Sequence, residues 1–117
     1  MNRVRGYVSS RSFLDNRVPQ HVQNLVIRDY CRRKNLLFLL SAVEFAMPNS
    51  FITMEKVLSE LSEVDGIAFY SLFQLPAESN KRQKIYSRVL DKKCTMHFAV
   101  ESLMIGTKED ISRVENI

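Results

Sequence analysis

The stretch GYVSSR, residues 6–11, decides how this chain is read. A short apolar run, Val4 to Val8, closes on Ser9, Ser10 and Arg11. Alternation and β-branched content make Val4–Ser9 a strand, and the serines mark its polar end. Outward from it the chain alternates strand and helix. Arg11–Val18 reads as a polar loop, and Pro19 suits the first turn of a helix, where its missing N–H costs nothing. That helix runs to about Lys34 with an expected apolar stripe of Val22, Leu25, Val26 and Tyr30. Leu36–Phe45 follows as a second strand whose near-continuous apolar start suits a buried parallel position. After the loop AMPNS, Asn49 or Ser50 is expected to cap a second helix with Met54, Val57, Leu58 and Leu61 on one stripe. Gly66–Leu72 is a third strand, Glu78–Leu90 a third helix and Thr95–Leu103 a fourth strand. Thr107 and Asp110 form a capping box for a last helix carrying Ile111, Val114 and Ile117.

Strands and helices alternating at this spacing predict βαβ units. The expected fold is a single α/β domain over residues 1–117, three-layered, with a mostly parallel sheet of four to five strands. Ligands of open α/β sheets bind outside the carboxyl ends of the strands. Ser9, Ser10, Arg11, Glu44, Ser71, Gln74 and Glu101 fall at those ends. Arg11 and Arg17 bracket the loop before the first helix, whose N-terminus adds partial positive charge, so an anion site is expected there. Gln20, Gln23 and Asn24 open that helix, as contacts for sugar hydroxyls, a subunit contact or an exposed turn. Glu44 and Glu101 read as an acid–base pair or, paired with Arg5 or Arg11, as structural ion pairs, with the structural reading favoured. His97, inside a strand, reads as a satisfied core or edge histidine rather than a catalytic one, and His21 as an exposed one.

The 117 residues are 45% apolar, enough for one core, and carry a net charge of +4. Residues 1–35 hold eight Lys/Arg against two Asp/Glu, and residues 36–80 hold one against six. The basic first third would attract phosphate, nucleic acid or an acidic partner. No apolar run is long enough to span a bilayer, and the N-terminus does not read as a signal peptide. Cys31 and Cys94 have no paired spacing, so a zinc site is not expected and two ordinary thiols of a cytoplasmic protein are. There is no glycine-rich phosphate loop and no metal-ligand spacing, so no cofactor is expected.

The order of motifs resembles the catalytic domain of serine recombinases, the resolvase and invertase family. The features that carry it are the Tyr7–Ser10 strand end, QHVQNLVIRDYCRRKNL, VDGIAFYSLFQL and TMHFAVESLMI. The resemblance implies a resolvase-like, flavodoxin-like fold and places Ser9 at the family's nucleophile. Tyr7 then stands where the family has an arginine, Phe73 and Gln74 where it has Asp-Arg, and Ala77 where another arginine is expected. Its Arg-Pro near Phe51 and Ile52 is absent. Attack on a phosphodiester needs such cations around the developing charge. The family's C-terminal helix-turn-helix and long dimer helix have no counterpart in these residues either. The expectation is the fold without the recombinase.

A longer match is to sporadic carbohydrate cluster proteins, through Arg5-Gly6-Tyr7, Ser10-Arg11-Ser12-Phe13, Arg17–Cys31 and Ser41–Asn49. That resemblance implies a role in lipopolysaccharide or other surface-glycan biosynthesis, with no reaction specified. The expected ligand is a sugar phosphate or nucleotide-sugar held by Ser9, Ser10, Arg11, Arg17, Gln20, Glu44, Ser71 and Glu101. A pathway enzyme is the other expected partner, DNA is not expected, and a homodimer is compatible with the large apolar residues on the helices. A degenerate resolvase-like module that binds DNA or protein is the alternative.

Overall fold

A computed structural model describes residues 2–10, 17–44 and 51–117. Five strands form one sheet in the order β2-β1-β3-β4-β5. They are β1 (Arg3–Ser9), β2 (Leu37–Glu44), β3 (Gly66–Phe69), β4 (Thr95–Phe98) and β5 (Leu103–Ile105). The first four are parallel, and β5 runs antiparallel to β4. The helices are α1 (Gln20–Arg33), α2 (Ile52–Ser59), α3 (Ser79–Asp91) and α4 (Lys108–Glu115). The expected single α/β domain with a mostly parallel sheet is what forms.

Side chains alternate between two cores because successive strand residues point to opposite faces. Val4 and Val8 face α1, packing with Ile27, Tyr30, Cys31, Ala68 and Ala99. Tyr7 faces the other way, into a larger cluster with Met54, Leu58, Phe69, Tyr86, Phe98 and Val114, which α2, α3 and α4 cover. The Tyr7, Phe69 and Phe98 rings make consecutive pairs at 5.3 and 5.5 Å. The two cysteines are buried free thiols in separate clusters, Cys31 in the first and Cys94 in the second. Burial pushes the Cys31 thiol up to about 11, so it is protonated and unreactive at neutral pH.

Four expectations about elements are corrected. The run expected as one strand over Thr95–Leu103 is two. Ala99 and Val100 donate their N–H groups to the carbonyls of Phe69 and Tyr70, and Ser102 N–H turns back to Ala99 O. Ser102 takes a φ of 52°, a left-handed turn that a glycine or asparagine would normally signal. Glu101 therefore lies in a turn, not on a strand. The third strand stops at Phe69 rather than Leu72, because the Gln74 side chain accepts the N–H groups of Tyr70 and Ser71 and starts a 3-10 turn, Leu72–Gln74. The second strand is not buried on both faces. It lies at the sheet edge, and Leu40 is 82% exposed at a bulge. The buried stripe of α1 is Gln23, Ile27, Tyr30 and Cys31, while Leu25 points to solvent. The Asp110 side of the capping box forms as expected, its carboxylate accepting the Gly106 and Thr107 N–H groups. Asn49 and Ser50 lie outside the described residues, and α2 follows Phe51 without a side-chain cap from that residue.

Candidate functional site at the carboxyl edge of the sheet

The strand order reverses between β1 and β3, and there the carboxyl ends diverge into the crevice where open α/β sheets take ligands. Two amides span it. Gln23, in the first turn of α1, donates from Nε2 to the carbonyls of Ser9 (2.7 Å) and Val18 (2.8 Å). Its Oε1 accepts the Ser9 N–H at 3.1 Å and the Gln74 Nε2 at 2.8 Å. Gln74 in turn holds the turn after β3. Beyond it the Ser71 hydroxyl donates to Glu101 Oε2 at 2.7 Å, and Glu101 Oε1 accepts the Leu72 N–H at 3.0 Å. A hydrogen-bonded belt thus runs from α1 through β1 and β3 to the β4–β5 turn. Among the described residues, no buried side-chain polar atom lacks a partner.

Glu44 holds the other arm. Its Oε1 accepts the Tyr7 hydroxyl and the Met54 N–H, each at 3.0 Å, and its Oε2 accepts the Thr53 N–H at 2.9 Å. The carboxylate therefore caps the N-terminus of α2, where the helix dipole favours negative charge. Thr53 adds a bond from its hydroxyl to the Val43 carbonyl. Sequence proximity gave no sign of this cap, since Glu44 lies nine residues before Thr53.

The expected site residues therefore divide. Ser9 is 1% exposed, with its backbone clamped by Gln23, and Glu44 and Ser71 are buried as well. Glu101 is half-buried and bonded within the belt. Glu44 and Glu101 make separate networks at β2 and at the β4–β5 turn: they are not an acid–base pair, and among the described residues hydroxyls and backbone N–H groups hold them in place of the favoured ion pairs, Arg5 donating instead to the Leu40 carbonyl. Ser10 is half-buried, and its N–H (3.0 Å) and its hydroxyl (3.4 Å) both donate to the Glu44 carbonyl. Gln20 is half-buried and Arg17 exposed. Arg11 lies outside the described residues. Because Gln23 holds both Ser9 and Val18, it tethers Ser10 and Arg17 to the same end of α1. Pro19 offers that N-terminus no side-chain cap, and its first turn holds no acidic residue. Gln23 and Gln74 are the positioning residues that sequence reasoning undervalued. The available signal was Gln23 recurring with Ile27 and Tyr30 at helical spacing, which puts an amide on the buried stripe.

Below this edge, His97 is 3% exposed on β4. Its Nδ1 pairs with the Tyr30 hydroxyl at 2.9 Å and its Nε2 with Thr95 Oγ1 at 2.8 Å. Burial, and secondarily the Lys34 charge, lower its pKa to about 4, so the ring is neutral at pH 7. It is the core histidine the sequence suggested. Among the described residues, no group of three or more His, Cys, Asp or Glu is placed to hold a metal ion.

An open sheet in the order 2-1-3-4-5 with helices on both faces is a flavodoxin-like architecture. Within that class the chain has the fold of resolvase-type catalytic domains. A resolvase family site-specific recombinase from Streptococcus pneumoniae superposes with a TM-score of 0.72 at 8% identity, over 97% of this chain and 84% of that one. The N-terminal catalytic domain of TP901-1 integrase gives 0.67 at 11% identity, over 96% and 89%. At such identities the likeness is one of fold. No family model matches the chain, and no curated protein matches it in sequence.

Proposed function

We propose that this chain is a non-recombining binding domain of resolvase-like fold that takes the phosphate of a sugar phosphate or nucleotide-sugar at the N-terminus of α1. One observation carries the reading: the first turn of that helix holds no acidic residue and takes no side-chain cap from Pro19, and it is tethered beside Arg17 and Ser10 at the sheet's switch point. Arg17 supplies a charge-assisted contact and Gln20 a neutral one, while Ser10 is held beside them by the Glu44 carbonyl. Ser9, Ser71, Glu44 and Glu101 act indirectly, by fixing the backbone around them. A hydroxyl buried like that of Ser9 is a poor nucleophile, which argues against covalent chemistry on DNA. The setting, surface-glycan biosynthesis in the cytoplasm, rests on the resemblance to sporadic carbohydrate cluster proteins alone.

The test is a thermal-shift and calorimetric panel of inorganic phosphate, sugar phosphates, nucleotide-sugars and a short DNA duplex, run on the wild type and on Arg17→Ala. A ligand at a hundred times its Kd adds about 2.7 kcal/mol of stability. A phosphorylated sugar that shifts the wild type and loses at least tenfold in affinity with Arg17→Ala supports the proposal. No shift with any sugar compound refutes it, as does a shift indifferent to the substitution.

A further inference from the structure

A second surface lies at the other end of α1, away from the carboxyl edge. The last turns of α1 and the start of β2 enclose an open groove of about 760 Å³. Its walls include Leu25, Arg28, Arg32, Leu36, Leu37 and Phe38. Leu25 is 63% exposed and Leu37 45%, unusual values for leucines that share one groove. Arg28 lies over the Phe38 ring, 5.7 Å from its centroid, which holds an exposed cation between the apolar walls. The local charge is lopsided. Asp29 is the one acidic residue between Gln20 and Val43, and it is engaged by Arg32 at 2.7 Å and Arg33 at 2.9 Å. Arg28 and Lys34 add two further positive charges to the same stretch of chain.

Strand β2 borders this groove and, among the described residues, has a strand neighbour on one side only. Natural edge strands are usually blunted by a charge, a proline or a bulge. The run Leu37–Val43 holds no charge or proline, and its bulge falls only after Leu39. The bulge after Leu39 leaves the first residues of the strand as the regular part of the edge. We infer that this groove is a docking site for an extended peptide segment of a partner protein, one that alternates carboxylates with apolar side chains and lies along the start of β2. Apolar residues of the segment fill the space between Leu25 and Leu37, and its carboxylates meet Arg28, the groove cation that Asp29 does not engage. Main-chain bonds to the strand edge give affinity, and the alternate side chains give selectivity. A second copy of this chain fits less well. Pairing two copies of the regular edge Leu37–Leu39 antiparallel about a two-fold axis sets both α1 helices on the same side of the joined sheet and, because those residues start the strand, brings the two basic ends toward each other.

The probe is a capped, fluorescein-labelled heptapeptide of alternating glutamate and leucine, read by anisotropy against the full chain. Controls are the same peptide with lysine for glutamate, and a labelled DNA duplex. The test variants are Arg28→Glu and Leu25→Ser, both at exposed positions, with circular dichroism to verify the fold. The expected result is saturable binding of the acidic peptide that weakens at least tenfold in either variant and also weakens with added salt. The lysine peptide does not bind. Failure of the acidic peptide to bind overturns the inference, as does equal binding of both peptides or binding unchanged by the two substitutions. Competition by the duplex, at lower concentration and through the same Arg28, assigns the groove to nucleic acid and overturns it too.

Discussion

Lowering the pH from 7.5 to 4 should destabilise the fold through His97 in a way that one substitution removes. The imidazole is 3% exposed, and its folded pKa is about 4 against an ordinary 6.5. The folded state therefore binds fewer protons than the unfolded state between those values, and stability falls with pH across that window. The full contribution is present above pH 6.5, is lost progressively below it and levels off under pH 4. At 1.36 kcal/mol per pH unit, the loss by pH 4 is about 3 kcal/mol. Hydrogen bonding alone would not produce this, because both partners, Tyr30 and Thr95, are hydroxyls able to accept from an imidazolium. Burial is the dominant cause, with Lys34 adding repulsion. Urea denaturation at several pH values, on the wild type and on His97→Gln, separates this effect from the carboxylates that titrate in the same range. The variant will be less stable at pH 7.5, but its decline toward pH 4 should be shallower by about 3 kcal/mol. An NMR titration of the wild-type imidazole gives an independent reading. A midpoint near 6.5, or parallel pH profiles for the two proteins, would refute the reasoning.

The amide belt and the tight strand pairing make two further predictions. Gln23→Leu keeps the volume but strands the Ser9 N–H, the Ser9 and Val18 carbonyls and the Gln74 amide, so urea denaturation should show a loss of roughly 3–5 kcal/mol. A loss under about 1 kcal/mol would mean that water replaces the amide and the belt is not structural. Gly66→Ala should cost roughly 1–3 kcal/mol in the same assay, because its Cβ would sit 2.6 Å from the Thr95 carbonyl oxygen and 2.5 Å from Thr95 Oγ1. An alanine variant with wild-type stability would show that β3 and β4 can separate at that point.

The parts of the fold legible in the sequence were those where one local rule acts without a rival. Ile67 and Phe69, or Ile85 and Val89, mark buried faces because hydrophobic periodicity alone decides them. Asp110 announces its capping role by standing three residues after Thr107. Errors arose where a distant side chain took over a local decision. Gln74 ends β3 by capturing two backbone N–H groups that would otherwise continue the ladder. Glu44 caps α2 from across a loop, so no capping residue had to be visible beside the helix. Leu40 reads as core by composition yet sits at a bulge on the edge, and only sheet order distinguishes edge from centre. The site shows the same division. That Ser9, Glu44, Ser71, Gln74 and Glu101 gather along one edge follows from strand order. That they are bonded to protein groups rather than open to a ligand depends on pairings between residues as far as 51 positions apart.

This pairing also limits what the resolvase-like fold can do here. A ligand entering the crevice between β1 and β3 would have to displace Gln23, which makes four hydrogen bonds there, two of them to one backbone unit. Each is worth about 1 kcal/mol net, and each broken bond left buried costs more than that. A neutral sugar hydroxyl replaces at most one or two of them, so the belt resists such a guest. A phosphate gains nothing from the crevice either, since Gln23 and Gln74 bring no positive charge to it. The anion site proposed above is accordingly peripheral, where the first turn of α1 and the exposed Arg17 lie. The belt then acts by holding Ser10, Arg17 and the first turn of α1 in one geometry. Gln23→Leu should accordingly weaken phosphate-ester binding under conditions where the protein remains folded, although Gln23 touches no ligand. Such a loss, with no change when only Glu101 is substituted, would assign the positioning to the Gln23 clamp rather than to the belt as a whole.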